Sequence, residues 1–596
     1  MGKEVTLTID GRVVTASSDD TIWEAAKKAG ITIPTLCHHP MLRPEGACRV
    51  CLCEVKGGGA RPGCSAACIT KVGEGMEVKT HSPLVLSHRK TIVELLLANH
   101  PRECLTCSRS GDCELQSLAN DLGIREIPYA YNRPRMPIDD SNPSLVRDPN
   151  KCILCGRCVR MCSEIQTVSC YSFVNRGLAA TVSPAFFGGL ANAACTFCGQ
   201  CRKVCPVGAI TITSDIDKVR DAIADPEKIV MVQTAPSVRV GLSEAVGGQA
   251  GDIVTGKMFA ALRQLGFDKV FDTNWSADLT IMEEGTELIG RVTNGGVLPM
   301  ITSCSPGWIN FIELKYPELL PHLSTAKSPQ AMFGAMLKTY YAEANGIDPS
   351  KIVSVSIMPC TAKKYECQRP ELCDSGYRDV DYVLTTVELG QMIKQANINF
   401  QALEEEAADP LMGVGTGAAT IFGASGGVME AAVRTAYFVL SGKELDPIDL
   451  VAVRGMEGIK EASLTIPLKD GGELPVKVAV ANTLGNARKI LESIKAGNPN
   501  GWTFVEVMAC PGGCVNGGGQ PIKFDITTAP TRQQALYQDD RQLPLRRSHE
   551  NPEVMALYQG EGSFLGAPNS EKAHHLLHTH YAGQDRSKNL FGIQPK

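Results

Sequence analysis

Two cysteine runs, Cys152-x2-Cys155-x2-Cys158-x3-Cys162 and Cys195-x2-Cys198-x2-Cys201-x3-Cys205-Pro206, constrain this chain more than any other feature. Thiolates at that spacing enclose a cubane of iron and sulfide, and the fourth cysteine of each run serves the neighbouring cluster. The runs therefore predict two 4Fe-4S clusters, one on Cys152, Cys155, Cys158 and Cys205, the other on Cys162, Cys195, Cys198 and Cys201. Of the 24 cysteines, 18 fall between Cys37 and Cys205. No apolar run approaches the roughly 20 residues needed to span a bilayer. Met1 leads directly into the strand-like Val5–Ile9 without a signal-type segment, so the chain is expected in the cytoplasm. A reducing cytoplasm keeps ordinary thiols free, which leaves metal ligation as the reason for so many cysteines.

Two further groups precede the runs. Cys37, Cys48, Cys51 and Cys64 set a Cys-x2-Cys core between two distant thiols, which suits a 2Fe-2S cluster held mostly by one loop. Cys53 and Cys68 are left as spare thiols, as is Cys170 later in the chain. His100, Cys104, Cys107 and Cys113 offer one imidazole and three thiolates. Neutral imidazole in place of a thiolate removes a negative charge, which raises a cluster's reduction potential.

The order of elements divides the chain into a multidomain α/β and α+β protein. Residues 5–16 alternate as two strands about an Asp10-Gly11 turn, and Thr21 can cap a helix ending near Ala29 and Gly30. That pattern predicts a small ferredoxin-like beta-grasp domain over residues 1–82. A helix from about Leu84 to Ala98 opens a second unit, 83–126, and a proline-rich connector (Pro128, Pro134, Pro137, Pro143, Pro149) leads into the two-cluster unit, 127–225. From 226 to 525, short apolar runs such as Ile229–Val232 and Lys351–Met358 alternate with helical stretches such as Gln330–Asn345, which predicts one large α/β domain with mainly parallel strands. Residues 526–596 are expected to wrap that domain, with His549 and the His574-His575 pair as ordinary residues and not metal ligands.

The 59 basic and 64 acidic residues are well mixed, leaving no electrostatic footprint for nucleic acid or an anionic membrane. Gly413, Gly415 and Gly417, with Gly423, Gly426 and Gly427 nearby, lack the strand, helix and ribose-binding acid of a nucleotide fingerprint. With no recognisable flavin or nicotinamide site, electrons are expected from another protein.

Six cysteines remain: Cys304, Cys360, Cys367, Cys373, Cys510 and Cys514. Four of them lie in three unusual settings. The first runs Thr302-Ser303-Cys304-Ser305-Pro306-Gly307-Trp308, and the second Met358-Pro359-Cys360-Thr361-Ala362-Lys363-Lys364-Tyr365-Glu366. The third extends from Glu506 through Met508-Ala509-Cys510-Pro511-Gly512-Gly513-Cys514 to Gln520-Pro521. These resemble the signature segments of the iron-only (FeFe) hydrogenases. The resemblance covers essentially the whole chain, and the two front groups also resemble those at the head of complex I-type subunits, where the histidine is a cluster ligand.

The resemblance implies an enzyme that interconverts protons and dihydrogen at an H-cluster, a 4Fe-4S cubane joined to a two-iron subsite bearing carbonyl, cyanide and azadithiolate. It implies Cys360, Cys510, Cys514 and either Cys304 or Ser305 as ligands, with Cys514 bridging. The implied cofactors are one 2Fe-2S cluster, three 4Fe-4S clusters and one H-cluster. The family's first segment usually reads Thr-Ser-Cys-Cys-Pro, so Ser305 is a departure. Register makes Cys304 the proton donor and Ser305 the ligand, whereas the preference of a cubane for thiolate argues for Cys304 on iron.

By matching position, Glu284, Glu287, Arg291 and Ser324 correspond to the family's proton relay to Cys304. Glu284 and Glu287 would share one face of a helix. Ala235, Pro236, Ser237, Gln330, Met358, Lys363 and Met508 correspond to contacts around the two-iron subsite, with Lys363 placed to pair with a cyanide. Glycines 512, 513 and 517–519 fit a backbone passing close to a bulky cluster. The many front clusters and Ser305 resemble the catalytic subunit of NAD(P)-linked, electron-bifurcating multimeric hydrogenases of anaerobes. That implies a diaphorase-like flavoprotein and a small 2Fe-2S subunit as partners, with ferredoxin as a further one. A stand-alone ferredoxin-dependent hydrogenase and a complex I-like electron-transfer subunit are the alternatives.

Overall fold

The computed structural model describes residues 2–130, 133–522 and 527–586. At its N-terminus, Asp10 (φ 49°) and Gly11 (φ 80°) both adopt the left-handed region that a tight hairpin demands. They join β1 (Glu4–Ile9) to β2 (Arg12–Ser17). Thr21 and Glu24 close a capping box at the start of α1 (Ile22–Lys28). With β3 (Leu52–Lys56), β4 (Gly63–Ala66) and β5 (Glu77–Lys79), the strands form one sheet in the order β2-β1-β5-β3-β4, in which β1 and β5 run parallel. Leu7, Ile9, Ile22, Ala25, Val55 and Val78 make its core.

The expected second helix is α2 (Pro83–Ala98), capped by Ser82 with proline in the first turn. Its buried Arg89 donates to the carbonyls of Val50, Leu52 and Thr80, tying the helix to the sheet domain. Glu114 opens α3 (Glu114–Asp121) and receives both Arg157 amines, the nearer at 2.5 Å, which links this unit to the first cysteine run. Leu145–Arg147 pairs with Ile210–Ile212 around the two runs, and the hairpin Ser172–Val174 with Thr181–Ser183 lies between them.

The large domain contains two four-stranded sheets rather than one. The first is wholly parallel, in the order Lys269–Asp272, Ile229–Thr234, Ile352–Met358, Tyr382–Thr385. The second pairs Met300–Ile301, Phe504–Met508 and Glu473–Asn482 in parallel, then adds Ile459–Pro467 antiparallel at its edge. Ile459–Pro467 alternates between covered and exposed positions along most of its length, the pattern of a strand with one solvated face. The helix Asn274–Asn294 passes between the sheets, with Trp275 and Leu279 in one core and Ala277 and Ile281 in the other.

This topology places the site. In parallel sheets, ligands bind beyond the carboxyl ends of the strands. Ile229–Thr234 runs into Ala235-Pro236-Ser237, Met300–Ile301 into Thr302–Ser305, Ile352–Met358 into Pro359-Cys360, and Phe504–Met508 into Ala509-Cys510. The C-terminal segment lies against the domain: Val554, Leu557, Leu576 and Leu577 pack with Trp275 and Phe333. Thr579 N–H donates to the Thr325 carbonyl at 2.8 Å. No helix among the described residues is long and apolar enough to cross a membrane.

Candidate active site

Beyond the four strand ends lies a cavity of about 90 Å³. Cys304, Ser305, Cys360, Cys510 and Cys514 line it together with Ala235, Pro236, Ser237, Gln330, Met358, Lys363 and Met508. The segments are stitched to one another. Thr302 Oγ1 accepts from Val507 N–H at 3.2 Å, and Ser305 Oγ from Ala509 N–H at 3.4 Å. Trp308, fully buried, donates its indole N–H to the Thr302 carbonyl at 3.0 Å, and Pro306 opens the helix Pro306–Lys315 directly after Ser305.

Burial pushes the Cys514 thiol up to about 12, with neighbouring Cys360 adding to the shift, and drives Cys510 and Cys304 well above the ordinary range. A buried thiolate is costly without compensating positive charge, and soft thiolates suit iron-sulfur centres. The donor set therefore fits an iron cluster. The buried Ser237 Oγ, facing the cavity with no protein partner, is a further group that a bound ligand could engage.

Cys304 and Ser305 point to different surroundings. Cys304 packs with Phe422, Met508 and Cys514 and feels the carboxylate of Glu284. Ser305 lies two residues before Gly307, where an added Cβ would sit 3.4 Å from Cys198 Cβ. Lys363 reaches the cavity, but its ammonium is held by Glu366 at 2.7 Å. Glu366 also accepts from Ser328 at 3.0 Å and Gln330 at 3.1 Å, so one carboxylate positions two of the lining side chains.

Glu284, Glu287 and Arg291 share a face of the helix Asn274–Asn294. Arg291 pairs with Glu287 at 2.6 Å, and Ser324 Oγ donates to Glu287 at 2.8 Å. Glu284 is fully buried and neither carboxylate oxygen has a hydrogen-bond partner. Burial, reinforced by the charge of Glu287, pushes its carboxyl up to about 8. Beside this row stands a set that sequence reasoning missed. His578 Nδ1 meets Thr325 Oγ1 at 2.8 Å and its Nε2 meets Glu283 at 3.1 Å, while the Tyr558 hydroxyl donates to Glu283. The neighbouring His574 had drawn attention only as part of a histidine pair; it stacks on His578 with centroids 4.3 Å apart.

The two cysteine runs fold alike. Leu154 (φ 55°) and Phe197 (φ 56°) hold the same left-handed conformation, each directing its N–H to the sulfur two residues back, Cys152 and Cys195, at 3.4 Å. Cys152, Cys155, Cys158 and Cys205 line one small cavity. Cys162, Cys195 and Cys198 are the sulfur neighbours of Cys201. Cys198 also lines the active-site cavity and neighbours Cys510. This unit docks tightly: Arg202 donates to the Gly518 carbonyl at 2.7 Å, and Gln166 to the Ala509 carbonyl at 2.8 Å. A Cβ on Gly518 would lie 2.6 Å from the Cys198 carbonyl oxygen, and one on Gly517 would collide with that of Pro359. At these two positions protein backbone presses on protein backbone, and Gly517 also lines the cavity.

The N-terminal cysteine group also needs a correction. Cys51 Sγ lies 3.4 Å from Cys68 Sγ, and Cys37 is within hydrogen-bond contact of both Cys48 and Cys68. Cys64 lies on β4 opposite Glu54, outside this set of contacts. The structure thus gathers Cys68, and not Cys64, with Cys37, Cys48 and Cys51: β4 must end before the chain can turn back toward Cys51, whose carbonyl accepts from Ala67 N–H at 3.1 Å. Cys68→Ala is expected to abolish the 2Fe-2S electron paramagnetic resonance signal, and Cys64→Ala to retain it; the opposite result would restore the spacing-based choice. In the next unit, Cys107 and Cys113 are neighbours, and burial pushes the His100 imidazole down to about 4, keeping it neutral as metal ligation requires. Its Nδ1 is buried without a partner.

Residues 228–518 match the family described as "Iron only hydrogenase large subunit, C-terminal domain", and 528–584 match "Iron hydrogenase small subunit". Residues 2–83 match a 2Fe-2S iron-sulfur cluster binding domain, 89–128 an NADH-ubiquinone oxidoreductase-G iron-sulfur binding region, and 142–211 the ferredoxin-like domain of NADH-quinone oxidoreductase subunit 3. The chain is 48% identical to the NADP-reducing hydrogenase subunit HndD of Solidesulfovibrio fructosivorans, over 98% of this chain and 99% of the relative. It is 41% identical to iron hydrogenase 1 of Clostridium pasteurianum, over 97% and 99% of the two chains. A solved FeFe-hydrogenase structure, HydA1 of Chlamydomonas reinhardtii, matches at 46% identity with a TM-score of 0.56, covering 62% of this chain and 99% of that one.

Proposed function

The chain belongs to the iron-only hydrogenases, oxidoreductases acting on hydrogen, and we propose that it carries electrons between an H-cluster and partner flavoprotein subunits that reduce NADP. The observation that carries this reading is the convergence of Cys304, Cys360, Cys510 and Cys514 on one cavity whose wall includes Cys198 of the second cysteine run. Cys360, Cys510 and Cys514 are assigned to the H-cluster, with Cys514 bridging. Ser305 is assigned to the fourth cubane position, because its hydroxyl meets the amide before Cys510; Cys304 is assigned to proton transfer, because it faces Glu284. When bound, the two-iron subsite supplies the centre at which dihydrogen is split heterolytically or formed.

The protein's own part is to move the proton and exclude water. Glu284, held protonated by burial, exchanges a proton with Cys304, and Ser324, Glu287 and Arg291 extend the path outward. Met358, Met508 and Phe422 keep the cavity apolar. Lys363 and Ser237 offer a cation and a hydroxyl to polar ligands of the cluster, with Glu366 fixing the lysine.

Electrons are assigned a route from the 2Fe-2S cluster on Cys37, Cys48, Cys51 and Cys68, through the His100-Cys104-Cys107-Cys113 cluster and the two ferredoxin cubanes. We read the units as a beta-grasp domain over 1–82, then 83–126, 127–225, a catalytic domain over 226–525 and the wrapping segment 526–596. The NADP assignment rests on likeness to a protein named for NADP reduction, and with it go a diaphorase-like flavoprotein, a small 2Fe-2S subunit, a cytoplasmic setting and electron bifurcation. The alternative is a stand-alone hydrogenase with ferredoxin as its partner; iron hydrogenase 1, similar over nearly the whole chain, carries no nicotinamide in its name. Hydrogen-dependent NADP reduction is expected from the complex purified with its partner subunits and not from the chain alone. Full nicotinamide activity from the isolated chain would contradict the assignment.

A further inference from the structure

The cluster nearest the cavity has more sulfur and hydroxyl around it than four thiolates require. Cys170 Sγ lies 3.4 Å from Cys162 Sγ, and the same thiol is in hydrogen-bond contact with Cys195. The next residue, Tyr171, holds its hydroxyl 3.9 Å from Cys201 Sγ, and Cys170 N–H donates to Cys162 at 3.4 Å. One dipeptide thus touches three of the four sulfurs assigned to that cubane. Both residues are buried.

The backbone is bent to put them there. Thr167 (φ 52°) and Ser169 (φ 57°) both occupy the left-handed region, which is costly for residues other than glycine and persists only where surroundings enforce it. Val168 N–H and Ser169 N–H both donate to the Cys162 carbonyl, at 2.9 and 3.1 Å. Arg488 donates to the Thr167 hydroxyl at 3.0 Å and to its carbonyl at 2.8 Å. The loop is therefore pinned on one side by the cluster-bearing segment and on the other by the catalytic domain.

On the ligand assignment made above, we propose that Cys170 and Tyr171 are positioning residues that raise the reduction potential of the Cys162-Cys195-Cys198-Cys201 cluster by donating S–H and O–H hydrogen bonds to its ligand sulfurs. Reduction adds a negative charge to the cluster, and a donor aimed at sulfur stabilises the reduced form more than the oxidised one. Four thiolates already complete the cubane, and a fifth buried thiolate would be an uncompensated charge, so Cys170 serves as the neutral donor. Because Cys198 borders the active-site cavity, this cluster is the last electron station before it.

The test is a redox titration of the matured full-length enzyme followed by electron paramagnetic resonance, with iron counted in each sample. Cys170→Ala is expected to shift one 4Fe-4S signal to a more negative midpoint, by about tenfold in the reduction equilibrium, or about 59 mV for one electron. Tyr171→Phe should shift the same signal in the same direction by less, and Cys170→Ser, which keeps a hydroxyl donor, should fall between wild type and Cys170→Ala. Unmoved midpoints in both Cys170→Ala and Tyr171→Phe, with all clusters present, would overturn the inference alone. Loss of that cluster from Cys170→Ala would overturn it by making Cys170 a ligand. Absence of 4Fe-4S signals from the wild-type enzyme would sink the ligand assignment and the inference together.

Discussion

Cys514→Ser is expected to leave the front clusters in place and to stop hydrogen turnover. The residue lies on the loop after Phe504–Met508, where it meets Cys360, Cys304 and Lys363 but none of the sulfurs of the N-terminal groups. Those groups are built by separate loops between Cys37 and Cys205, so their resonance signals should persist. On the proposed assignment, loss of this thiolate would remove the attachment of the two-iron subsite, and the rate should fall by at least about 10³-fold, equivalent to about 4 kcal/mol of barrier. Hydrogen evolution from reduced dye, measured beside the low-temperature resonance spectrum, separates this from general misfolding. A variant that still turned over at a tenth of the wild-type rate would remove Cys514 from the bridge.

Glu284→Gln is expected to slow turnover by about 10² to 10⁴-fold, the usual size of a lost acid-base step, with the iron content unchanged. The amide preserves the shape of the side chain and removes its titratable carboxyl proton. Burial and the Glu287 charge push the Glu284 carboxyl from its ordinary value near 4.5 up to about 8. It therefore holds its proton at neutral pH and gives it up as pH rises through about 8. Hydrogen evolution, which consumes protons, should decline through that range in the wild type, and the variant should lack this inflection. Stability follows the same sign. Because the folded protein binds this proton more tightly than the unfolded chain, the contribution of Glu284 is fully present below about 4.5 and is lost as pH rises through about 8. Chemical denaturation of Glu284→Gln should accordingly depend less on pH between those limits; wild-type rates and an unchanged profile would take Glu284 out of the path.

What could be read from the sequence was whatever lay close together along it. The ferredoxin runs, the Asp10-Gly11 hairpin and the Thr21 cap are local patterns, and the fold reproduces each of them. Fe-S domains followed by a large hydrogenase domain were likewise legible, because the catalytic segments carry several unusual residues in a row. The Cys64 and Cys68 alternatives were not decidable by spacing, since the outcome depends on where β4 stops and which side of it faces Cys51. The second sheet was hidden because Ile459–Pro467 gains its partner from strand pairing with Glu473–Asn482, and an alternating edge strand does not announce which sheet it joins. Glu366 escaped notice for a related reason: its hold on Lys363 is three residues away, but its hold on Ser328 and Gln330 crosses the fold. Nor do leucine and phenylalanine give any sign, in sequence, of the left-handed backbone that Leu154 and Phe197 adopt over the cluster sulfurs.

On the proposed function, sulfurs from three distant segments hold an organometallic iron centre in the cavity beyond the strand ends. Infrared spectroscopy of the anaerobically matured protein is the decisive measurement. Bands from metal-bound carbonyl and cyanide are expected in the wild type and are expected to be lost in Cys514→Ser; a wild-type protein with its full complement of front clusters and no such bands would rule out an organometallic centre.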